Sequence, residues 1–452
     1  MVYQKNMICT VTVERCSGEG AGIAHLDGRV VFVQGALHGE TCEIKLLKVK
    51  KHVIFAKVER ILTPSRFRTA PDCPYFPVCG GCSFWHMAYE EELEIKRQQV
   101  EDALVRIGGF SCMVPPVLGA ETVFRYRNKA QFPVSAAKGE DRIGFYRARS
   151  HDVIPIQDCL IQSETAGQAA NAVRIWMQKY RIAGYDETTC RGVVRHVYVR
   201  INQAGEALIC IVVNQPKVPH QKELVQILRA ACPLSVGILL CINQKNSNVI
   251  LGDQYELIWG QKYIVDELFG MQFRLSASSF YQVNRAQTER LYQTAISYAA
   301  LTREETVLDL YCGVGTISLS MAGAVKHVIG VEIVPEAIED AKENAARNQI
   351  YNVDFFCADA GEAAAKLIVD GVTPDVIIVD PPRKGLHKRV IEAILQLAPA
   401  RIVYVSCNPA TLARDLKLFS DHEYCLERIT AVDMFPRTTH VETVVLMSRV
   451  KD

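Results

Sequence analysis

The sequence predicts a multidomain α/β protein: a small N-terminal β-barrel, a central α+β domain with a cysteine-bearing loop, and a C-terminal doubly wound domain. Three observations carry this expectation. Residues 1–62 are short β-rich runs split by Gly-rich turns, residues 63–265 mix alternating runs with two helical stretches, and strands alternate with helices through 266–452. A chain of 452 residues agrees with several units, because one domain holds roughly 100–200 residues.

The barrel rests on the runs ICTVTVERC, GRVVFVQG, ETCEIKLLKVK and VIFAKVERIL, separated by SGEGAG and LDG. Short strands at even spacing with Gly turns are the pattern of a small closed sheet. Net charge is only +1, but from Lys45 to Arg68 eight Lys/Arg stand against one acid, Glu59. Such a stretch can follow a phosphate backbone, or it can be a solvated lysine-rich surface. The run GEGAGIAHLDGRVVFVQGALHGE resembles the TRAM domain, an OB-like RNA-binding module. That resemblance implies a single-stranded nucleic acid ligand, although barrels of this kind also serve as protein contacts.

Composition excludes several classes. With 49% hydrophobic and 22% charged residues the chain reads as a soluble globular protein, and no apolar run approaches the roughly 18 residues of a membrane span. The N-terminal MVYQKNMICT lacks the basic-then-apolar order of a signal peptide, so a cytoplasmic location without a membrane partner is expected. The sixteen cysteines are irregularly spaced, which fits reduced thiols with a subset used for metal or catalysis. A monomer is the simplest expectation for assembly.

TPSRFRTAP links the barrel to Cys73-x5-Cys79-x2-Cys82 in PDCPYFPVCGGCSFWH. Three close thiols in a Gly/Pro-rich loop point to a metal or cluster site that needs a fourth ligand, and spacing alone leaves iron–sulfur and structural zinc open. A helix follows over about 89–107, with acids early and bases late as the helix dipole favours. The runs YRNKAQFPVS, RIGFYRARS, VRHVYVRIN, EALICIVVN and VGILLCIN predict an antiparallel sheet with a helix near 164–181. Arg125, Arg127, Lys129, Arg142, Arg147 and Arg149, interleaved with Tyr126, Phe145 and Tyr146, suit RNA or a half-exposed sheet face.

In the C-terminal domain a helix over 285–300 precedes the strands TVLDLY, HVIGVE, VDFFCAD, DVIIVD and RIVYVSC, with helices between and two final strands. Alternation of this kind implies a doubly wound, mostly parallel sheet that binds ligands at its carboxyl edge. The first strand runs into Asp309-Leu-Tyr-Cys-Gly-Val-Gly315 and the second ends in Glu332. A Gly-rich turn admits a ligand close to the backbone, and the distal acid can accept ribose hydroxyls. The third Gly of a dinucleotide fingerprint is missing, so NAD is disfavoured; DxxxGxG with a distal acid is the arrangement of class I (Rossmann-like) methyltransferases. Asp359 and Asp380-Pro-Pro follow at the third and fourth strand ends.

Cys407 ends the fifth strand in SCNPATLARD, and Glu442 opens the last strand in HVETVVLMSRV. A lone Cys is usually an inert buried thiol, and an acid at a strand start is usually a solvated end; placement among the cofactor residues favours function for both. DLYCGVG, DPPRKG, SCNPATLARD and HVET together resemble the RNA uracil-5-methyltransferase family over most of the chain. The barrel and cysteine cluster are similar to its ribosomal RNA members, whereas transfer RNA members typically lack both. The resemblance implies S-adenosylmethionine contacts from Gln282 in SSFYQVN, Tyr311, Glu332 and Asp380, with Asp359 a weaker addition. It also implies Cys407 as nucleophile, Glu442 as base, and a [4Fe–4S] cluster on Cys73, Cys79, Cys82 and Cys159. The expected partner is RNA, specifically 23S ribosomal RNA.

Carbon 5 of uracil needs such a nucleophile, because thiolate addition at carbon 6 makes an enolate reactive at carbon 5. A carboxylate then removes the carbon 5 proton, and the base must leave its stack to be reached; Phe280 is the candidate to pack on it, with structural packing as the alternative. Rival readings are a radical S-adenosylmethionine protein, which needs Cys-x3-Cys-x2-Cys, and an amino methyltransferase, which places an aromatic where Arg383 stands. A cytosine-5 enzyme carries a further cysteine after the fourth strand. An RNA-binding protein with a retired catalytic domain is opposed by the joint presence of Cys407, Glu442, Glu332 and Asp380.

Overall fold

A computed structural model describes residues 3–136 and 140–450. The N-terminal strands Ile8–Thr12, Arg15–Cys16, Ala21–Leu26, Arg29–Gln34, Thr41–Val49 and Val53–Thr63 form one six-stranded sheet. It curls on itself where the Glu14 N–H donates to the Ile23 carbonyl at 2.8 Å. The period-2 pattern buries Val31, Val33, Ile44, Leu46 and Ile54 and turns Lys48, Lys50 and Lys57 outward, as a one-sided core requires.

The central sheet runs in the order Gln254–Gly260, Ser235–Ile242, Ala207–Val213, Val194–Ile201, Lys129–Ser135, Arg142–Tyr146, Val153–Pro155. Helix Glu164–Tyr180 covers one face through Ala169, Val173 and Trp176. An all-antiparallel sheet was expected, and one pair departs from it: Ala207–Val213 lies parallel to Ser235–Ile242. Helix Gln221–Ala231 makes the crossover. The physical reason is visible in both strands, whose runs are buried on both faces, a pattern that suits a helix-covered parallel pair better than a half-exposed antiparallel one.

Helix Tyr89–Ala103, extended by a π-helical turn over Leu104–Gly108, packs away from that sheet. Its Val100 and Leu104 join Tyr404, Leu412, Leu416 and Phe419 in the C-terminal core. A hairpin of Tyr263–Leu268 and Met271–Ser276 spans positions 265/266, where the sequence pattern changes. Its Ile264, Leu268, Phe273 and Leu275 belong to a core that continues from Leu208 and Leu239 of the central sheet into the C-terminal domain.

The C-terminal sheet has the order Val353–Cys357, His327–Glu332, Thr306–Leu310, Val376–Val379, Arg401–Ser406, Glu442–Arg449, Tyr424–Val432. The first five are mutually parallel, Glu442–Arg449 runs antiparallel to them, and Tyr424–Val432, antiparallel to Glu442–Arg449, runs in the same direction as the five. Register pairs Ser406 with Thr443, so Cys407 and Glu442 are the next residues out at one edge. Among the described residues no helix is long and apolar enough to cross a membrane.

A buried polar knot ties helix Tyr89–Ala103 to the loop 433–441 between the last two strands. Lys96, fully buried, donates to Glu92 Oε1 at 2.7 Å, Asp433 Oδ1 at 2.6 Å and the Phe435 carbonyl at 3.2 Å. Tyr89 donates to Asp433 Oδ2 at 2.7 Å. Removing the cation leaves two carboxylates buried without it, so Lys96→Met is expected to cost about 3 kcal/mol of stability. Urea unfolding checks this: the midpoint should fall clearly, and an unchanged midpoint contradicts the role assigned to the knot.

Candidate active site

Each element of the carboxyl edge is shaped by local hydrogen bonding. In the DLYCGVG turn, Tyr311 takes a left-handed φ of 74° and Gly315 a φ of 83°. A side chain at Gly315 would meet the Phe355 ring at 2.9 Å, so glycine is required for the turn to lie this close to the sheet. Glu332 closes the next strand with its carboxylate held by backbone: Gly313 N–H at 3.2 Å on Oε2, and Ile333 and Val334 N–H at 2.8 and 3.0 Å on Oε1. Beside it Ile333 and Phe356 are exposed apolar side chains, a surface suited to a flat heteroaromatic ring.

The acids divide. Asp359 caps helix Ala360–Val369, accepting from Gly361 and Glu362 N–H at 2.9 and 3.3 Å through Oδ1, which gives this residue a structural task of its own. Asp309 lies within its strand, 1% exposed, and accepts from Ser318 Oγ at 2.5 Å. Burial raises it to about 7. Asp380 follows the fourth strand, and burial pushes it up to about 7 as well. Gln282 is buried, and its carbonyl accepts from Asn128 Nδ2 at 2.9 Å.

Cys407 sits at the corner between strand and helix. Ser406 Oγ accepts from the Asn408 N–H at 3.1 Å, and Asn408 caps helix Pro409–Ser420 by accepting from the Ala410 N–H at 3.0 Å. The same Asn408 donates through Nδ2 to the Arg383 carbonyl at 3.1 Å, and Thr411 donates to it at 3.3 Å. Further along that helix, Arg414 donates to the Lys384 carbonyl at 3.0 Å, and Asp415 accepts from the Leu386 N–H at 2.8 Å. The SCNPATLARD run thus clamps the DPPRKG turn. Gly385, at φ 74°, is needed where an added Cβ would stand 2.5 Å from Asp415 Oδ2.

Electrostatics bind these groups into one site. The half-buried Cys407 thiol is raised to about 11 by burial, then by the nearby carboxylates of Glu442 and Asp380, while Arg383 lowers it. Glu442, 3% exposed, is pushed up to about 8 by burial and by Asp380, again opposed by Arg383. The Arg383 guanidinium lies 3.3 Å from His440 Nε2. Tyr292, buried beneath, feels Asp380, Asp309 and Glu442 together. Sequence reasoning did not single out Tyr292 or His440, since one sits on a helix face that reads as core and the other in a loop.

Cys73, Cys79, Cys82 and Cys159 all line one cavity of about 190 Å³, with Tyr75, Phe76, Trp85 and Ile161 among its walls. Burial raises Cys159 to about 11 and Cys82 to about 12, each further raised by the other cysteines. The buried Trp85 Nε1–H lies beside Cys82 and favours its thiolate form. Among the described residues no set of three His, Cys, Asp or Glu reaches the spacing of a single metal ion.

The predicted cationic face is only partly free. Arg125 pairs with Asp158 at 2.7 Å, Arg142 with Glu140 at 3.0 Å and Arg147 with Asp152 at 3.6 Å. Tyr126, expected on an open face, is 9% exposed and donates to the Pro436 carbonyl at 3.0 Å. Arg149 is exposed and lines a cleft of about 610 Å³ between barrel and cysteine loop, with Phe32 and Phe55. Phe280 is 63% exposed, with the Lys129 ammonium 5.9 Å from its ring centroid.

Comparisons with known proteins follow this geometry. The family model described as tRNA (Uracil-5-)-methyltransferase matches residues 88–450, and that of the TRAM domain matches residues 4–58. An uncharacterized RNA methyltransferase of Halalkalibacterium halodurans is 44% identical, over 98% of this chain and 97% of its own. Another, of Bacillus cereus, is 43% identical over 99% of this chain and 98% of its own. The solved Pyrococcus abyssi tRNA (uracil-54, C5)-methyltransferase in complex with S-adenosyl-L-homocysteine is similar at TM-score 0.75 and 27% identity, over 97% of this chain and 100% of that one.

The charges around Cys407 set its reactivity. A neighbouring carboxylate disfavours thiolate and a guanidinium favours it. Glu442→Gln should therefore lower the pH at which Cys407 becomes alkylated relative to wild type, and Arg383→Gln should raise it. Iodoacetamide labelling across pH, read by mass spectrometry at Cys407, checks both shifts; coincident profiles contradict the arrangement.

Proposed function

Because the chain belongs to the tRNA (uracil-5-)-methyltransferase family and carries a TRAM domain, we propose that it methylates carbon 5 of a uridine in RNA, with Cys407 as nucleophile and Glu442 as base. It is an S-adenosylmethionine-dependent enzyme by that membership. The observation that carries the finer reading is the placement of Cys407 and Glu442 at adjacent antiparallel strand ends, within the field of Asp380. Glu332, Tyr311, Gln282 and Asp380 are the proposed cofactor contacts, and Asp359 adds the oxygen not used in its cap.

The Cys407 thiolate adds to carbon 6, and the electron pair of the 5,6 double bond moves to the carbonyl at carbon 4 as an enolate. The bound sulfonium supplies an electrophilic methyl group, which carbon 5 takes as the sulfur keeps the bond pair. Glu442 then accepts the carbon 5 proton, and the carbon 6–sulfur bond breaks to restore both the double bond and the thiolate. A base lifted to about 8 is matched to accepting a proton near neutrality. Arg383 offsets the negative charge around Cys407 and Glu442. Phe280 is the proposed wall for the extruded base, and the cleft bearing Phe55 and Arg149 is proposed to take flanking single strand.

We further propose that Cys73, Cys79, Cys82 and Cys159 hold a [4Fe–4S] cluster. The four thiols share one cavity, and the resemblance to ribosomal members favours a cluster, which binds each thiolate to a different iron; structural zinc is the alternative. With four protein thiolates it offers no open iron, and its role would be structural or in RNA contact. The RNA is proposed to be 23S ribosomal RNA, on the resemblance of a TRAM-bearing, cysteine-rich chain to ribosomal members. A transfer RNA target is the second reading, favoured by the Pyrococcus tRNA enzyme, which spans 97% of this chain.

Three experiments test this. RNA containing 5-fluorouridine retains fluorine where the proton would leave, so wild type with cofactor should accumulate a methylated covalent adduct at Cys407 and Cys407→Ala none; a bound substrate without adduct overturns the mechanism. Anaerobically purified protein should contain iron and acid-labile sulfide in equal amounts, lost in Cys82→Ser, whereas stoichiometric zinc would refute the cluster. Transcribed 23S and transfer RNA fragments, offered separately, decide the target by where methyl label appears.

A further inference from the structure

Glu442 hangs from the loop 433–441, which joins the strands whose residues Val432 and Glu442 face each other. Three sets of contacts hold that loop. Its inner part is pinned by Lys96 and Tyr89 on Asp433, and by Gln287 Nε2 on the Asp433 carbonyl at 3.0 Å. Its tip receives the Tyr126 hydroxyl on the Pro436 carbonyl. Its outer part, which leads through His440 to Glu442, is pinned by Arg437.

Arg437 is bonded at every level. Its carbonyl accepts from the Ser83 and Phe84 N–H groups at 2.8 and 3.2 Å, and its own N–H donates to Glu92 Oε1 at 2.7 Å. Its guanidinium donates to the Met87 and Phe84 carbonyls at 3.0 and 3.4 Å and lies 5.0 Å from the Trp85 ring centroid. Ser83 directly follows Cys82, and Trp85, three residues beyond Cys82, walls the four-cysteine cavity. Arg437 has φ 69°, a conformation that favours glycine. A large side chain held there indicates that the side chain itself is needed.

We propose that Arg437 is a positioning residue for the base: it fastens the outer arm of the loop 433–441 to the rim of the cysteine cavity, so that the order of the cysteine loop fixes where Glu442 stands. This rests on the assignment of Glu442 as base. Arg437 touches no reacting atom, and its loss acts after methyl transfer, at proton abstraction. The cysteine cavity, on this account, contributes to catalysis through geometry.

Arg437→Gly suits the backbone, which prefers glycine at this φ, and deletes only the side chain; Arg437→Lys keeps a cation without the fork. With uridine RNA, single-turnover quenching should show methylated enzyme–RNA adduct accumulating, and product release slowed about tenfold to a hundredfold, as for a reacting group misplaced by about 1 Å. The rate of adduct formation with 5-fluorouridine RNA, which stops before proton abstraction, should stay within about twofold of wild type. Arg437→Lys should fall between. If adduct formation and product release decline together, or neither changes, the positioning role is overturned. If wild type forms no 5-fluorouridine adduct at all, the assignment of nucleophile and base fails instead, so the two failures are distinguishable.

Discussion

The antiparallel pairing of Glu442–Arg449 with Arg401–Ser406 is the constraint from which the site follows. Five parallel strands bring only their carboxyl ends to the ligand edge, and every residue there comes from a turn between a strand and a helix. A reversed strand brings its beginning to the same edge. That single reversal sets a carboxylate opposite a thiol whose own strand has just ended, and it does so from a rigid sheet. Both groups consequently take their register from the sheet, and the fastened loop 433–441 holds Glu442 from its outer side.

Crowding of acids is the cost of this arrangement and the source of its chemistry. Burial raises Asp309, Asp380 and Glu442 alike, and the Asp380 charge adds to the rise of Asp309 and Glu442. The Arg383 carbonyl accepts from the Asn408 and Thr411 side chains at the start of the helix Pro409–Ser420, so the guanidinium that offsets the charge on Cys407 and Glu442 belongs to the same corner that presents the thiol.

Much of this was legible along the chain because it is local. Alternation of strands and helices marked the C-terminal sheet, and the polar turn after an apolar run marked Cys407 as an edge residue. The helices over 89–107, 164–181 and 285–300 match Tyr89–Ala103 with its π turn, Glu164–Tyr180 and Arg285–Ala299. What was not legible depends on distance. The parallel strand pair needed knowledge that helix Gln221–Ala231 crosses over. Tyr126 reads as part of an exposed alternating face, yet its hydroxyl is spent on Pro436, which lies far along the chain. Asp359 has the position of a cofactor acid and also the geometry of a helix cap, and sequence cannot separate two uses of one carboxylate.

The central claim is that carbon 5 of uracil exchanges a proton for a methyl group within this site. Release of tritium from RNA labelled at carbon 5 of uridine measures that exchange directly. Tritium should appear in water in equal amount to methyl groups transferred, and only when cofactor is present. Methyl transfer without tritium release would contradict the account and place the methyl group on another atom.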